Sequence, residues 1–261
     1  MAGIKPIIPL YKRITVYHYM IAVLSFLGLF YIVSLQRFDF LPQLILAPLT
    51  AVLVEALFLK LKKEKVRISE SAIISGLFAA IILQNLSLAV AAPILAITIK
   101  MLLKVKGRHI FNPAALGIIV VSLIAGLFGI VNTNPAIWWA ASTVLIMPLG
   151  LFMAWKIKRL ETSLVLLAVY FALNVAWNFL SGFPISLQSF YDPAAMFLAF
   201  FMAVEPRTTP ANKYGKIIFG VLLAALMFAG FFIPLRGLAI DWFLISLLIA
   251  NTTREFLEEK L

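Results

Sequence analysis

Ten apolar runs fill most of the 261-residue chain, and most of its charged residues lie in the short stretches between them. A transmembrane helix needs about 20 consecutive apolar residues, and most of the runs approach that length. The sequence therefore predicts an all-α polytopic membrane protein with about ten transmembrane segments in a single membrane domain, residues 1–261. The predicted segments cover residues 15–35, 40–59, 71–84, 87–103, 113–131, 136–155, 162–181, 193–204, 217–234 and 238–253.

The positive charges alternate with these segments. If the N-terminus is cytoplasmic, all of the 22 Lys and Arg residues except Arg37 and Arg236 lie on the inner side of the membrane. Short loops rich in Lys and Arg remain in the cytoplasm, so this bias sets the orientation. We therefore expect a multi-pass protein of the cell (inner) membrane with both termini cytoplasmic. The first run is long enough to span and lacks a cleavage site of small residues, so no signal peptide is expected.

The composition excludes several classes of protein. With 63% hydrophobic and 13% charged residues, the chain has too little polar surface for a soluble globule, and the lipid bilayer is its first partner. The inner loops account for the net charge of +11, so no nucleic-acid partner is expected. Cys is absent, and His18 and His109 are far apart. We therefore expect no metal site and no iron–sulfur cluster ligated by this chain alone.

Two of the apolar runs are too short to cross a bilayer. The third has 14 residues, 71–84, and the eighth has 12, 193–204; twelve helical residues reach only about 18 Å. Each is the third of five segments, and because five is odd the second half enters the membrane in the opposite sense. Paired short segments in inverted halves indicate a site near mid-membrane. We therefore predict two inverted five-helix halves, about 14–131 and 136–255, although little tilt or a thin bilayer would also explain short helices.

Polar residues at the ends of helices form the candidate ligand site. Helix ends in a low-dielectric surrounding carry partial charges and unpaired backbone groups, so they can hold the polar edge of a ligand. An Asn or Asp before a proline is also typical of a helix start, and capping alone would explain Asn112 and Asp192. The candidate cofactor-binding residues are Gln84, Asn85, Asn112, Pro113, Asp192 and Glu205.

Two charged residues lie inside predicted segments. Glu55 is in the second segment and Lys100 is in the fourth, at similar depth from the inner side. Charges at such positions are costly unless they are paired or hydrated. They could pair with each other, Lys100 could extend to the interface, or Glu55 could line a path for cations. We keep both residues as candidates for an ion path.

Several motifs resemble those of a known family. Residues 100–117 read KMLLKVKGRHIFNPAALG, residues 201–206 read FMAVEP, and residues 215–220 read GKIIFG. They resemble motifs of the RnfD/NqrB family of membrane electron-transport subunits, whose versions include FNPA, FFMATDP and G-[KR]-x-[IL]-F-G. The final Ala250-Asn251 also matches. The resemblance runs over most of the chain from about Ser71.

The resemblance implies a function and a cofactor. Members of this family belong to complexes that couple redox chemistry to Na⁺ or H⁺ movement, and they carry flavin, including FMN linked covalently to a Thr in an outer Gly-Ala-Thr motif. This chain has no Gly-Ala-Thr; its predicted outer loop 132–135 is short, and Ser142-Thr143 lies in an apolar run. We therefore expect no covalent FMN. A noncovalent flavin, riboflavin or FMN, between the two halves is compatible with the sequence.

Three functions stay open. The first is an integral membrane subunit of a Rnf/Nqr-like ion-translocating electron-transport complex, at most a non-catalytic or electron-transfer subunit among other redox subunits. The second is a transporter or channel for a small polar solute or flavin on the same inverted-repeat fold. The third is a membrane anchor for a cytoplasmic flavin reductase, whose acidic surface would bind the basic inner loops. The visible absorbance of a bound flavin would separate the first from the second.

Overall fold

The computed structural model of the chain describes residues 14–102, 109–130, 143–185, 190–233 and 241–259, and within these ranges all regular structure is helical. The predicted outer loop 132–135 and Ser142 lie outside the described residues. A π-helical turn, Leu198–Met202, continues the eighth helix. The helices in chain order are α1 (Val16–Ser34), α2 (Leu41–Leu61), α3 (Glu70–Ile82), α4 (Leu86–Leu102), α5 (Pro113–Leu127), α6 (Thr143–Lys156), α7 (Leu160–Leu180), α8 (Pro193–Phe197), α9 (Lys213–Ala229), α10 (Trp242–Thr252) and α11 (Arg254–Glu259).

Among the described residues, ten helices are apolar, and they follow the ten apolar runs of the sequence in order. Four helical stretches have at least 18 residues and are apolar enough to cross a membrane, and six shorter ones have 10–17 residues. Many large apolar side chains on the long helices point outward; Leu53, for example, is 59% exposed. Such surfaces are stable against lipid rather than water. The chain is an all-α, multi-pass membrane protein, as predicted; the inverted relation of its halves stays a prediction.

Short helix α8 lies at the centre of the protein. Every residue from Pro193 to Val204 is buried, and Phe197 packs edge-to-face on Phe78 of α3, with ring centroids 5.9 Å apart. A helix surrounded by protein need not cross the hydrocarbon, because neighbouring side chains can satisfy its ends. Its central position therefore accounts for its length without a thin bilayer.

The π turn at the end of α8 is held by a neighbouring helix. The Ser163 hydroxyl of α7 donates a hydrogen bond of 2.7 Å to the Ala199 carbonyl. A π turn disturbs the regular backbone pairing of a helix, and such turns are frequent at functional sites. The helix ends with this turn, before Glu205, and does not continue through Arg207.

Two glycines allow close approach of helix backbones. A Cβ atom on Gly76 of α3 would lie 2.3 Å from the Pro48 Cα atom of α2. A Cβ atom on Gly117 of α5 would lie 2.5 Å from the carbonyl oxygen of Ala92 in α4. Small residues at helix interfaces increase van der Waals contact, which is a main source of stability between helices in membranes. These contacts pack α3 on α2 and α5 on α4, and α4 also packs on both α2 and α3.

Candidate functional site

An apolar cavity of about 230 Å³ lies between the short helices and α1. Three aromatic side chains line it: Tyr17 of α1, Phe78 of α3 and Phe201 of the π turn. The basic residues Lys156 and Lys158, at the end of α6, also border it. The other lining residues are Val16, Met20, Ser71, Ile74, Ser75, Asn112, Pro113, Ala114, Ile157, Glu205 and Pro206.

A polar cavity of about 500 Å³ adjoins the apolar cavity. Ser71 and Pro206 line both cavities, so the two spaces share a wall. The charged side chains of the polar cavity come from α2, α4 and the loops that follow α2 and α8. Its lining residues are Glu55, Leu59, Glu64, Arg67, Ser69, Ser71, Lys100, Met101, His109, Pro206 and Arg207.

The cavity expected between the third and eighth segments is present, with Glu205 on its wall. However, the end of α3 that borders the cavity is its N-terminal end and not the C-terminal end near Gln84. The first turns of α3, around Ser71, border it. Gln84 and Asn85 follow the far end of this 13-residue helix, about 20 Å away at 1.5 Å per residue. They line neither cavity. Asn85 instead caps α4, where its Oδ1 accepts hydrogen bonds of 2.9 and 3.3 Å from two backbone amides.

Asn112 starts α5 at the wall of the apolar cavity. Its Oδ1 accepts a hydrogen bond of 3.0 Å from the Ala115 amide, and buried Pro113 occupies the first helical position. The Asn112 amide donates a hydrogen bond of 3.0 Å to Oδ1 of Asn251, at the end of α10. Both asparagines are almost fully buried. The capping role predicted from the sequence is confirmed, and the cap is joined to a helix that is 139 residues away in sequence.

The loop after α8 is fixed by hydrogen bonds from three directions. Asn251 donates from Nδ2 to the Thr208 carbonyl at 3.1 Å. Thr208 and Thr209 fold back on Glu205, donating from their hydroxyls to its carboxylate at 3.3 Å and to its carbonyl at 2.8 Å. Arg159 donates to the Thr209 hydroxyl at 3.3 Å, and burial lowers the pKa of this guanidinium. The direction in which Glu205 points is therefore determined by the surrounding structure.

Glu205 meets His109 at the shared wall of the cavities. His109 Nε2 lies 3.3 Å from Glu205 Oε1. The exposed fraction is 6% for the His109 side chain and 19% for that of Glu205. His109 lines the polar cavity, whereas Glu205 lines the apolar cavity. The pair thus places one titratable group in each space.

Glu55 and Lys100 form a buried ion pair. Lys100 Nζ lies 3.0 Å from Glu55 Oε1 and 3.2 Å from the Ser71 hydroxyl. The side chains are 7% exposed for Lys100 and 10% exposed for Glu55. Glu55 Oε2 is buried and has no hydrogen-bond partner among the described residues. Pairing, one of the possibilities considered from the sequence, is what the structure contains.

Asp192 lies away from both cavities. Its Oδ1 caps α8 by accepting hydrogen bonds of 2.9 and 3.1 Å from the Ala194 and Ala195 amides. Its Oδ2 accepts a hydrogen bond of 2.9 Å from the Tyr170 hydroxyl. The structure therefore gives Asp192 a structural partner for each oxygen and does not bring it to Glu205 or Asn112.

Comparison with known proteins identifies the family. The sequence profile of the NQR2, RnfD, RnfE family matches residues 9–128 and 122–260, which together make up nearly the whole chain. This chain belongs to the NQR2, RnfD, RnfE family. One relative is the RnfD component of the ion-translocating oxidoreductase complex of Mannheimia succiniciproducens, 36% identical over 81 residues, which are 30% of this chain and 23% of the relative. The match therefore spans less than a quarter of that relative's length.

Three of the four family motifs seen in the sequence are far apart along the chain but adjacent in space. Asn112 belongs to FNPA, Glu205 to FMAVEP and Asn251 to the final Ala-Asn. The hydrogen bonds from Asn112 to Asn251, from Asn251 to Thr208 and from Thr208 to Glu205 connect all three. We call these four residues the motif cluster. Residues from these three motifs thus build one structure at the wall of the apolar cavity.

Two residues of the candidate site, His109 and Ser71, were not predicted from the sequence. In the sequence, His109 is considered only as a possible metal ligand. Its position three residues before Asn112 of FNPA is the feature that could have marked it as a site residue. Ser71 contributes its hydroxyl to Lys100 and lines both cavities. Nothing in the sequence pattern marks Ser71, because a Ser near a helix start is most simply explained by capping.

Proposed function

We propose that this chain is an integral membrane subunit of an ion-translocating electron-transport complex in the cell (inner) membrane. The observation that carries the proposal is the motif cluster, which brings three of the four family motifs together beside an apolar cavity. Burying these polar residues is costly unless each finds a partner, and here they are partners of one another. The partners would be the other redox subunits of the complex, and this chain would at most transfer electrons among them.

The orientation follows from the charges. The basic loops support an orientation with both cavities on the cytoplasmic side, because Lys158, Arg67 and Arg207 border them and basic loops stay inside. Both termini would then be cytoplasmic. A cytoplasmic redox subunit with an acidic surface would meet the chain at this face, since opposite charges favour association.

The apolar cavity is the candidate site for a noncovalent flavin. Its three aromatic walls suit a planar ring, while Ser75 and Glu205 offer polar groups for the ring edge. The volume of about 230 Å³ is below the roughly 300–1,000 Å³ of sites for drug-sized ligands, so only the ring would be enclosed. Lys156 and Lys158, which border the same cavity, would hold the phosphate if the flavin is FMN. A bound flavin would supply the redox chemistry, and the chain would supply position and electrostatics.

The Glu55–Lys100 pair is the candidate element of the ion path. An unpartnered carboxylate oxygen beside a polar cavity of about 500 Å³ can accept a cation or a proton from water. Ionisable groups within membrane segments commonly mark such paths. Lys100 would act as the internal counter-ion of Glu55 when no other cation is bound.

The test is purification of the tagged chain from its native membranes in mild detergent. The proposal predicts co-purification with stoichiometric redox subunits, flavin absorbance in the preparation, and loss of electron-driven ion uptake by membrane vesicles when the gene is deleted. A chain that purifies alone without flavin, and moves a polar solute when reconstituted in vesicles, would establish the transporter alternative instead.

A pair of asparagine variants sharpens this test. Asn251→Ala removes two of the three hydrogen bonds that hold the motif cluster together, and we expect loss of flavin or of complex assembly. Asn174→Ala is the matched control, because the Asn174 side chain donates to a carbonyl of its own helix at 2.8 Å. Equal behaviour of the two variants would remove the motif cluster from the functional site.

A further inference from the structure

The His109–Glu205 pair stands at the only place, among the described residues, where a titratable group of the polar cavity is hydrogen-bonded to one of the apolar cavity. His109 borders the polar space, into which water can enter. Glu205 borders the apolar space. Among the described residues, no other acidic side chain lines this space and could deliver a proton there. The distance of 3.3 Å between Nε2 and Oε1 corresponds to a long hydrogen bond. Hydrogen bonds between proton-transfer groups are often long before a ligand binds.

We propose that His109 and Glu205 are a proton-transfer pair that carries protons from water in the polar cavity to a ligand in the apolar cavity. Histidine suits the first position, because its charge changes near physiological pH and its two ring nitrogens allow it to accept a proton on one side and release one on the other. A carboxylate suits the second position, since it can take the proton and present it inside the apolar space.

The transfer moves one proton and no electrons. The Nε2–H bond of the protonated His109 ring breaks as an O–H bond forms on Glu205 Oε1, which leaves both groups neutral. The proton enters as a hydronium ion of the polar cavity, which protonates Nδ1 of a ring that carries Nε2–H. After the transfer the ring holds only Nδ1–H, and exchange of that proton to Nε2 through water restores the starting form. Glu205 returns to the carboxylate when it releases its proton to a ligand in the apolar cavity that has accepted electrons. This last step rests on the proposed function, in which the ligand is a flavin and the redox subunits of the complex supply the electrons; the first steps do not.

Neighbouring charges bear on both partners. On the side of the polar cavity, the charged groups that line the space with His109 are Glu55, Glu64, Arg67, Lys100 and Arg207. On the side of the apolar cavity, Lys156 and Lys158 line the space with Glu205. Thr208 also donates to Glu205 Oε2 at 3.3 Å. This leaves Oε1 as the oxygen that faces the ring.

The chain contains a matched control. His18, the second histidine, also lies beside a carboxylate, with 3.2 Å between its Nδ1 and Glu70 Oε1. Its side chain is 50% exposed, and it lines neither cavity. A variant at His18 therefore changes the histidine content and one His–Glu contact without touching the proposed route.

The experiment is time-resolved infrared spectroscopy of the purified chain after photolytic release of protons in the surrounding solution. The band of a protonated carboxyl that is lost in Glu205→Gln reports proton arrival at Glu205. We expect His109→Asn to slow its appearance about a hundredfold, the scale of positioned proton transfer, and His18→Asn to leave it unchanged. If His109→Asn does not fold, His109→Gln replaces it.

An unchanged rate in the His109 variant, or a Glu205 band that never forms in the unmodified protein, would overturn the proposal. The measurement needs neither flavin nor a partner subunit. Flavin absorbance of the same preparation tests the proposed function separately, so the two failures are distinguishable.

Discussion

Lys100 of α4 places its ammonium nitrogen 3.0 Å from a carboxylate oxygen of Glu55 in α2, and both side chains are at least nine-tenths buried. Two charges in a low-dielectric interior are stable only as a pair, and removal of one leaves the other uncompensated. The pair therefore ties α2 to α4 at the wall of the polar cavity.

We expect Glu55→Gln or Lys100→Met alone to lower the free energy of unfolding by about 3–5 kcal/mol. The double variant should lose less than the sum of the single losses, because neither charge is then left alone. Denaturant titration of the purified variants followed by tryptophan fluorescence measures both effects. Glu161 and Lys216, an ion pair at 3.2 Å whose carboxylate is half exposed, are the control pair and should couple by only about 0–1 kcal/mol. Additive losses for Glu55 and Lys100 would contradict the prediction.

The close approach of α4 and α5 gives a second prediction. Gly117→Ala puts a Cβ atom 2.5 Å from the Ala92 carbonyl oxygen, so the helices must separate, at a cost of about 1–3 kcal/mol. Gly126 lies on the same helix and has nothing within 4 Å of its added Cβ. Gly126→Ala should be neutral or slightly stabilising, since Ala is the better helix former. Thermal unfolding of both variants in detergent checks this, and an equal melting temperature would argue against the packing of α5.

The charge pattern predicts the topology. Reporter fusions after Lys65, Arg108, Arg159 and Lys213 should be cytoplasmic, because short basic loops stay inside. A fusion within residues 182–188 should be external. Paired alkaline phosphatase and fluorescent-protein reporters measure this, each being active on one side only. An external signal at any of the four basic positions would disprove the ten-segment topology.

Flavin attachment gives the fourth prediction. Because Gly-Ala-Thr is missing from the sequence, a denaturing gel of the protein should carry no flavin fluorescence, even if the native protein absorbs in the visible. The hydroxyls of Thr208 and Thr209 are engaged with Glu205, which disfavours them as attachment points. A fluorescent band would contradict the prediction, and Thr143→Ala, Thr208→Ala and Thr209→Ala would then identify the acceptor.

Helix positions and several helix starts were predictable because they depend on local chemistry. The apolar runs matched the helices, and α3 and α8 were short as expected. Asn112-Pro113 and Asp192-Pro193 start α5 and α8 because a side-chain acceptor and a proline satisfy the first turn of a helix without help from elsewhere.

Local chemistry was not sufficient for the site. Gln84 and Asn85 had the polarity of a ligand site, but they follow the end of α3 that faces away from Glu205. The direction in which a short helix points depends on its packing partners and not on its own residues.

The sequence by itself determined the membrane class of this protein, its helices and its family, because hydrophobic length, helix caps and motif spacing are written in consecutive residues. Only the tertiary structure decided which charges are paired and which cavity each polar residue borders. His109 and Glu205 are 96 positions apart, and Asn112 and Asn251 are 139 apart. Contacts at such separations depend on the packing of whole helices against one another, which no local pattern specifies.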